Sequence, residues 1–208
     1  MIALNLKGLK KQELMEPMFE NTLKGKYVIL RKIEMADAED IYRWRTGSGG
    51  VFLRQPENYS VKMQEDWILG RSNKEINYII TDRLTNEKLG TIGIYEVNNE
   101  DKVANVGRLI IKDEYLTKSH PYGLEALLLT YDYLFSTMHF RKMTGDILAT
   151  NKAMYKLQLF LGMKQEGYLE KHVVINGKEE DLYIMSIFKE QFENSYKKKI
   201  GFLLKGFK

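Results

Sequence analysis

The sequence predicts an α/β domain with a mixed central β-sheet and helices on both faces. Three observations carry this. Short β-rich runs, alternating or continuously apolar, recur along the chain. Two long segments follow a helical period. Strands lie on both sides of those helices, in the order β-α-α-β-β-β-α-β-α-β-β between residues 26 and 188. The two β-α-β units of the second half are expected to be right-handed crossovers between parallel strands.

Each element has its own signal. Residues 26–33 (KYVILRKI) alternate as a strand, and residues 37–45 open with acids that suit a helix dipole before Ile41, Tyr42 and Trp44. Thr46-Gly47-Ser48-Gly49-Gly50 ends that helix, and residues 61–71 form a second. Residues 76–82 and 88–96 read as strands joined by a turn at Thr85-Asn86-Glu87, and residues 103–112 as a third long strand. Leu124, Leu127, Leu128, Tyr131, Leu134, Phe135 and Met138 then place one apolar stripe along about four helical turns. Residues 142–148 are a strand and 151–160 a helix. Residues 165–175 and 181–188 are strands paired through an Asn176-Gly177 turn.

Composition bounds the function. The 208 residues suit one compact domain, expected over residues 23–193, with an N-terminal extension (1–22) and a basic C-terminal tail (194–208). The absence of cysteine excludes disulfides, zinc-thiolate sites and thiol nucleophiles. The net charge of +4 resides in the tail, because residues 197–208 hold five lysines and no acid, which leaves residues 1–196 at −1. Nucleic-acid binding by the folded body is therefore not expected. No apolar run approaches the ~18 residues of a membrane span, so a cytoplasmic protein is expected. The tail alternates its lysines with Ile200, Phe202, Leu203, Leu204 and Phe207; it is expected to pack on a partner subunit, as in a homodimer, or to be disordered. His120, His139 and His172 lack metal-ligand spacing, and no metal is expected. The Gly-rich loop at residues 46–50 lacks the Gly-Lys-Ser/Thr ending of a Walker loop and the Gly-x-Ser-x-Gly of a hydrolase elbow.

The strand-loop-helix from Val106 to Met138 is the first candidate site. Its loop, Lys118-Ser119-His120-Pro121-Tyr122-Gly123, feeds a helix start with free N–H groups and a positive dipole end, suited to a pyrophosphate. An ordinary connection would look the same. More specific is the succession that follows: Gly123 with Glu125-Ala126, Asn151 and Ala153, Leu161-Gly162-Met163, Glu166-Gly167, and Gly177-Lys178 leading to Asp181 and Met185.

In that order and spacing, from about Lys24 to Phe192, the chain resembles the GCN5-related N-acetyltransferases (GNAT). The closest likeness is to the branch of ribosomal-protein and spermidine N-acetyltransferases. The resemblance implies a pair of central parallel strands that splay apart to admit acetyl-CoA as co-substrate. It implies pantetheine along the backbone of Leu109, Ile110 and Ile111, with Asn151 touching the arm. Pyrophosphate would sit on Lys118, Ser119, His120, Tyr122, Gly123 and Leu124, with Lys156 near the nucleotide phosphates.

The chain departs from the family pattern at Pro121, which brings no N–H, and at Ser119, where the family often has Gly. Gln158 stands where a tyrosine usually protonates the leaving thiolate; it can donate a hydrogen bond but is no acid. Asn105 stands where an acid is often found. For the amine proton the candidates are Glu96, Glu114 and Tyr95, and the Ile110 or Ile111 N–H is the candidate oxyanion donor. The family's acceptor site lies beside Arg43, Trp44, Arg45 and Arg54. These cations would suit an acidic acceptor, although a solvated helix face with Trp44 in the core fits the same residues. The expectation is an acyl-CoA-dependent N-acetyltransferase acting on a small-molecule or peptide amine, either a protein or peptide N-terminus or an amino sugar. The alternative is a catalytically silent module of the same fold.

Overall fold

The computed structural model describes residues 19–72, 74–115, 120–175 and 177–207. Its strands are β1 (Thr22–Lys24), β2 (Val28–Lys32), β3 (Ile76–Asp82), β4 (Lys88–Asn98), β5 (Val103–Ile111), β6 (Lys142–Leu148), β7 (Lys164–Ile175) and β8 (Lys178–Phe188). Its longer helices are α1 (Ala38–Thr46), α2 (Val61–Leu69), α3 (Tyr122–Asp132, continued by a π turn over Tyr133–Thr137) and α4 (Lys152–Leu161). A short α5 (Lys189–Gln191) runs through a second π turn, Phe192–Tyr196, into α6 (Lys197–Lys205).

All eight strands form one sheet, ordered β1-β2-β3-β4-β5-β6-β8-β7. Only β5–β6 is parallel among neighbours. The expected mixed α/β fold is therefore present, with one correction. β8 inserts between β6 and β7, so only the β5-α3-β6 unit joins adjacent parallel strands.

Burial explains the pattern. Along β3, Tyr78 and Ile80 enter one core cluster while Ile79, between them, enters another with Ile33, Ile41, Trp44 and Ile110. Alternate residues of a strand face opposite sides, so both sheet faces are covered, as continuously apolar strands require. In the α3 stripe, Leu127, Tyr131, Leu134 and Phe135 are buried, and Leu124, Leu128 and Met138 pack at the margin. At the start of α1, Asp37 is buried and bonded bidentately to Arg31 (2.7 and 2.8 Å). Lys88 approaches the same carboxylate at 2.8 Å, which ties β2, α1 and β4 together.

The C-terminal expectation is corrected. Phe192, Tyr196 and Ile200 are fully buried in the main core, on Tyr131 and Phe135 of α3. The lysines face outward, so the charged sequence conceals an amphipathic helix seated on its own domain. At the other end, Phe19 enters the core and β1 pairs with β2, so the sheet begins inside the stretch read as an extension.

Candidate functional site

β5 and β6 pair only over Val103↔Lys142, Ala104↔Met143 and Asn105↔Thr144. Beyond Asn105 they diverge, leaving the β6-facing edge of β5 without a backbone partner on that strand. The gap opens into a cavity of about 320 Å³. Its walls include Tyr95 of β4, Arg108 and Leu109 of β5, Asp146 of β6 and Asn151 with Gln158 of α4. A smaller cavity of about 220 Å³ continues between Leu109, Ile111, His120, Gly123 and Met154.

Two bulges shape this wall. Gly93 pairs with Gly107 and Thr91 with Ile110, so β5 carries an extra residue there, and Arg108 takes φ 54°. β4 bulges at Glu96, with φ 50°. Bulges re-aim side chains and release ladder groups. Gly107 is needed at this bend because a Cβ there would stand 2.6 Å from the Tyr95 hydroxyl oxygen.

The structure brings together several of the residues named from sequence. Leu109 lines both cavities and Ile111 the smaller one. Ile110 turns its side chain into the opposite core, and its backbone stands opposite Thr91 of β4. At the start of α3, among the described residues, the first N–H with a backbone acceptor is that of Glu125, bonded to Pro121 O. Pro121 is the N-cap, so the proline removes no donor from the set at Tyr122, Gly123 and Leu124. His120 stacks on Tyr122 (5.1 Å) and packs edge-on to Tyr115 (4.6 Å). Lys118 and Ser119 lie outside the described residues. Asn151 caps α4, accepting from Met154 N at 3.2 Å, and also lines the gap. Arg54 is at the cavity wall.

Other candidates stand apart. Glu114 is exposed and paired with Lys112 (3.2 Å), outside the cavity wall. Lys156 is exposed on α4. Arg43 is exposed and pairs with Asp40, and Trp44 is a core residue.

The residue that sequence reasoning passed over is Asp146. Its carboxylate stands exposed in the gap wall, where partial desolvation and then the charge of Glu96 raise its pKa, against a hydrogen bond from Asn105 and the charge of His172. Asn105 also donates to Glu96 Oε2 at 3.3 Å. Asn105 thus bridges two carboxylates instead of replacing one. Burial, then the charge of Asp146, pushes Tyr95 up to about 12, against the Arg108 guanidinium 4.3 Å from its ring. The signal in the sequence was a lone carboxylate inside an otherwise uncharged strand interior, MTGDIL. Gln158 is buried, accepts from Tyr196 Oη at 3.0 Å and approaches Met154 Sδ with its amide (3.5 Å). The position expected to hold an acid is therefore a tie to the C-terminal helices.

The family model for the Acetyltransferase (GNAT) domain matches residues 28–164. The chain belongs to the GNAT acetyltransferase family. It is 26% identical over 168 residues to the uncharacterized N-acetyltransferase YoaA of Bacillus subtilis, covering 78% of this chain and 93% of that one. Two solved structures share the GNAT fold. A GCN5-related N-acetyltransferase from Brucella melitensis superposes with TM-score 0.74 at 16% identity, over 89% of this chain and 86% of the other. Spermidine N-acetyltransferase from Vibrio cholerae, in complex with CoA and spermine, gives 0.72 at 20%, over 82% and 100%. The diverging β5–β6 pair is thus the feature of this GNAT chain around which its cavity forms. Among the described residues no helix is long and apolar enough to cross a membrane, and no cluster of three His, Asp or Glu side chains could hold a metal.

Proposed function

We propose that the protein transfers the acetyl group of acetyl-CoA to a primary amine, and that Asp146 receives the amine proton. The observation that carries this reading is a carboxylate with a raised pKa in the wall of the gap where β5 and β6 part. The edge of β5 that β6 leaves and the N–H groups of Tyr122, Gly123 and Leu124 at the start of α3 fit an extended amide-bearing arm that ends in phosphates. Binding of CoA by the Vibrio cholerae spermidine N-acetyltransferase supports the same fit. Bound acetyl-CoA supplies an activated thioester; the rest of the chemistry falls to this chain.

An ammonium cannot attack, so its proton must go first. A carboxylate poised above its ordinary range and open to the cavity is placed to accept that proton. The amine nitrogen then bonds to the carbonyl carbon and gives its second proton to solvent, the C–S bond breaks and the electron pair leaves on sulfur. Tyr95, held neutral at physiological pH, acts as a hydrogen-bond donor toward the developing negative charge, and backbone N–H groups at the β5 bulge share that role. Gln158 has no acidic proton, so the thiolate takes its proton from solvent and Asp146 returns its own there. The acceptor we favour is a peptide N-terminus or an amino sugar. Arg54 and Arg108 in the wall disfavour a polycation.

The test is calorimetry with acetyl-CoA followed by thiol release in the presence of amines. Micromolar binding is expected. Asp146→Asn should lower kcat/KM by about 10²–10⁴-fold and leave acetyl-CoA binding in place. Full activity of that variant would remove Asp146 from the reaction, and no binding at millimolar acetyl-CoA would favour the silent module.

A further inference from the structure

A second pocket, of about 390 Å³, lies between α1, the α1–α2 connection, α2 and β5, with Arg45, Tyr59, Gln64, Trp67 and Arg108 in its wall. Arg108 also lines the β5–β6 cavity, so the two spaces meet at one side chain.

The pocket is rich in donors and, among the described residues, has no carboxylate in its wall. Arg45 is fixed at its rim: Nε donates to Gln55 Oε1 (3.1 Å), a terminal nitrogen donates to Arg54 O (2.6 Å), and the guanidinium lies 5.6 Å from the Tyr59 ring centre. Arg108 donates to Glu75 Oε2 (2.7 Å) and Asn77 Oδ1 (3.2 Å) and lies 5.5 Å from the Trp67 ring centre. Arg71 stacks on the same indole at 4.3 Å. Gln64 is 2% exposed; its Oε1 accepts from the Tyr59 hydroxyl, and its Nε2 has no partner among the described residues.

Two features call for an anion. The guanidinium groups of Arg71 and Arg108 lie against Trp67 with Arg45 in the same pocket wall, and the carboxylate paired with the first two is Glu75, bonded to Arg108 and 3.5 Å from Arg71. Burial first, and then the charge of Arg108, depresses the pKa of both Arg45 and Arg71. Gln64 adds a buried donor with nothing to donate to, which a native fold rarely leaves. An oxyanion in the pocket would offset the like-charge repulsion and accept from Gln64 Nε2.

We infer that this pocket holds the anionic group, a carboxylate or a phosphate, of an acceptor whose amine end lies in the β5–β6 cavity near Asp146. The substrates are then anionic primary amines. This rests on the acetyltransfer reading and adds the substrate class to it.

The test uses the full chain and two matched amine pairs: glucosamine 6-phosphate with glucosamine, and 4-aminobutyrate with 4-aminobutanamide. Binding is followed by tryptophan fluorescence, since Trp67 lines the pocket and Trp44 is in the core. Turnover is followed by thiol release from acetyl-CoA. In at least one pair the anionic member should bind at least tenfold more tightly than its neutral partner, and the pair that discriminates separates phosphate from carboxylate. Gln64→Leu should reduce that ratio about tenfold, the cost of one hydrogen bond to a charged group. Arg45→Gln should reduce it further; because Arg45 also anchors the connection, Gln64→Leu with an unchanged melting curve is the deciding variant. Equal binding within both pairs, or no binding of either anion, overturns the inference. Acetylation of neutral amines alone also overturns it while sparing the acetyltransfer reading. Anion binding that needs Gln64, without thiol release, sinks the acetyltransfer reading and leaves the anion pocket standing.

Discussion

Partial desolvation of Asp146, which stays open to the cavity, and the neighbouring charge of Glu96 raise its pKa, so the fold favours its protonated form. Two consequences follow with opposite value to the molecule. As a proton acceptor Asp146 works only when ionised, so the acid limb of kcat/KM should fall at a pH above the ordinary carboxylate value of about 4. Ionisation also costs folding free energy. The cost is absent below the unfolded pKa, grows as pH rises from there through the raised folded pKa, and persists above it. Asp146→Asn should therefore melt higher than the parent at pH 7 and level with it below about pH 4, while losing activity. A variant that melts lower at pH 7 would mean that the carboxylate is a structural partner. Asp146 was hard to find because its importance comes from what surrounds it. Sequence showed one acid in a strand; the meeting of that strand with Glu96 and Asn105 across the β4–β5–β6 junction was needed to perturb it. Asn105 and Gln158, by contrast, stood out in the sequence as departures from the pattern that the resemblance implies. What they do instead, bridging carboxylates and accepting from Tyr196, depends on partners 9 and 38 residues away.

Elements that bury a repeating face were legible at nearly their full extent. β3 and β6 occupy the residues expected, and the α3 stripe is the one read from its spacing. The bulges were not legible, because an extra residue on one strand is defined only against its partner's register. β1 was missed for a related reason: three residues carry too little pattern, and what fixes them comes from α3. There the buried Glu125 carboxylate accepts from the backbone N–H groups of Lys26 (2.7 Å), Tyr27 (2.6 Å) and Val28 (2.8 Å), holding the β1–β2 turn. Sequence marked this residue only as half of a Glu-Ala motif at the head of a helix. Glu125→Ala would strip three donors of a charged acceptor in a site that admits little water. It should cost about 3 kcal/mol, read as a lower midpoint in urea with the slope unchanged. A cost under about 0.5 kcal/mol, the range of an ordinary surface substitution, would mean that solvent replaces the carboxylate there.

At the scale of the whole molecule, charge misled where burial decides. The run of lysines near the C-terminus suggested a tail, yet every third or fourth residue there turns inward: Phe192, Tyr196 and Ile200 are fully buried. Tyr196 and Phe192 stack on Tyr131, Ser195 Oγ donates to Leu161 O (3.0 Å), and Lys197 pairs with Asp132 (2.6 Å). At the far end the Tyr27 hydroxyl donates to Phe207 O (2.8 Å), returning the helix to the first hairpin. These helices close the side of the core that α3 and α4 leave open, and through Tyr196 they hold Gln158 in the cavity wall. Truncation after Phe188 should therefore abolish cooperative folding. Deleting one buried aromatic costs about 3–5 kcal/mol, and the loss of Phe192 and Tyr196 together consumes most of a stability of about 5–15 kcal/mol. Tyr196→Phe isolates the link to the cavity. It keeps the ring packing and leaves Gln158 Oε1 without its donor, so it should cost about 1–2 kcal/mol and weaken acetyl-CoA binding through a displaced Gln158. Circular dichroism and calorimetry on the two variants separate the roles. A truncated chain that melts like the parent would return the segment to a dispensable tail. A Tyr196→Phe protein that is destabilised yet binds acetyl-CoA as the parent does would confine the C-terminal helices to scaffolding.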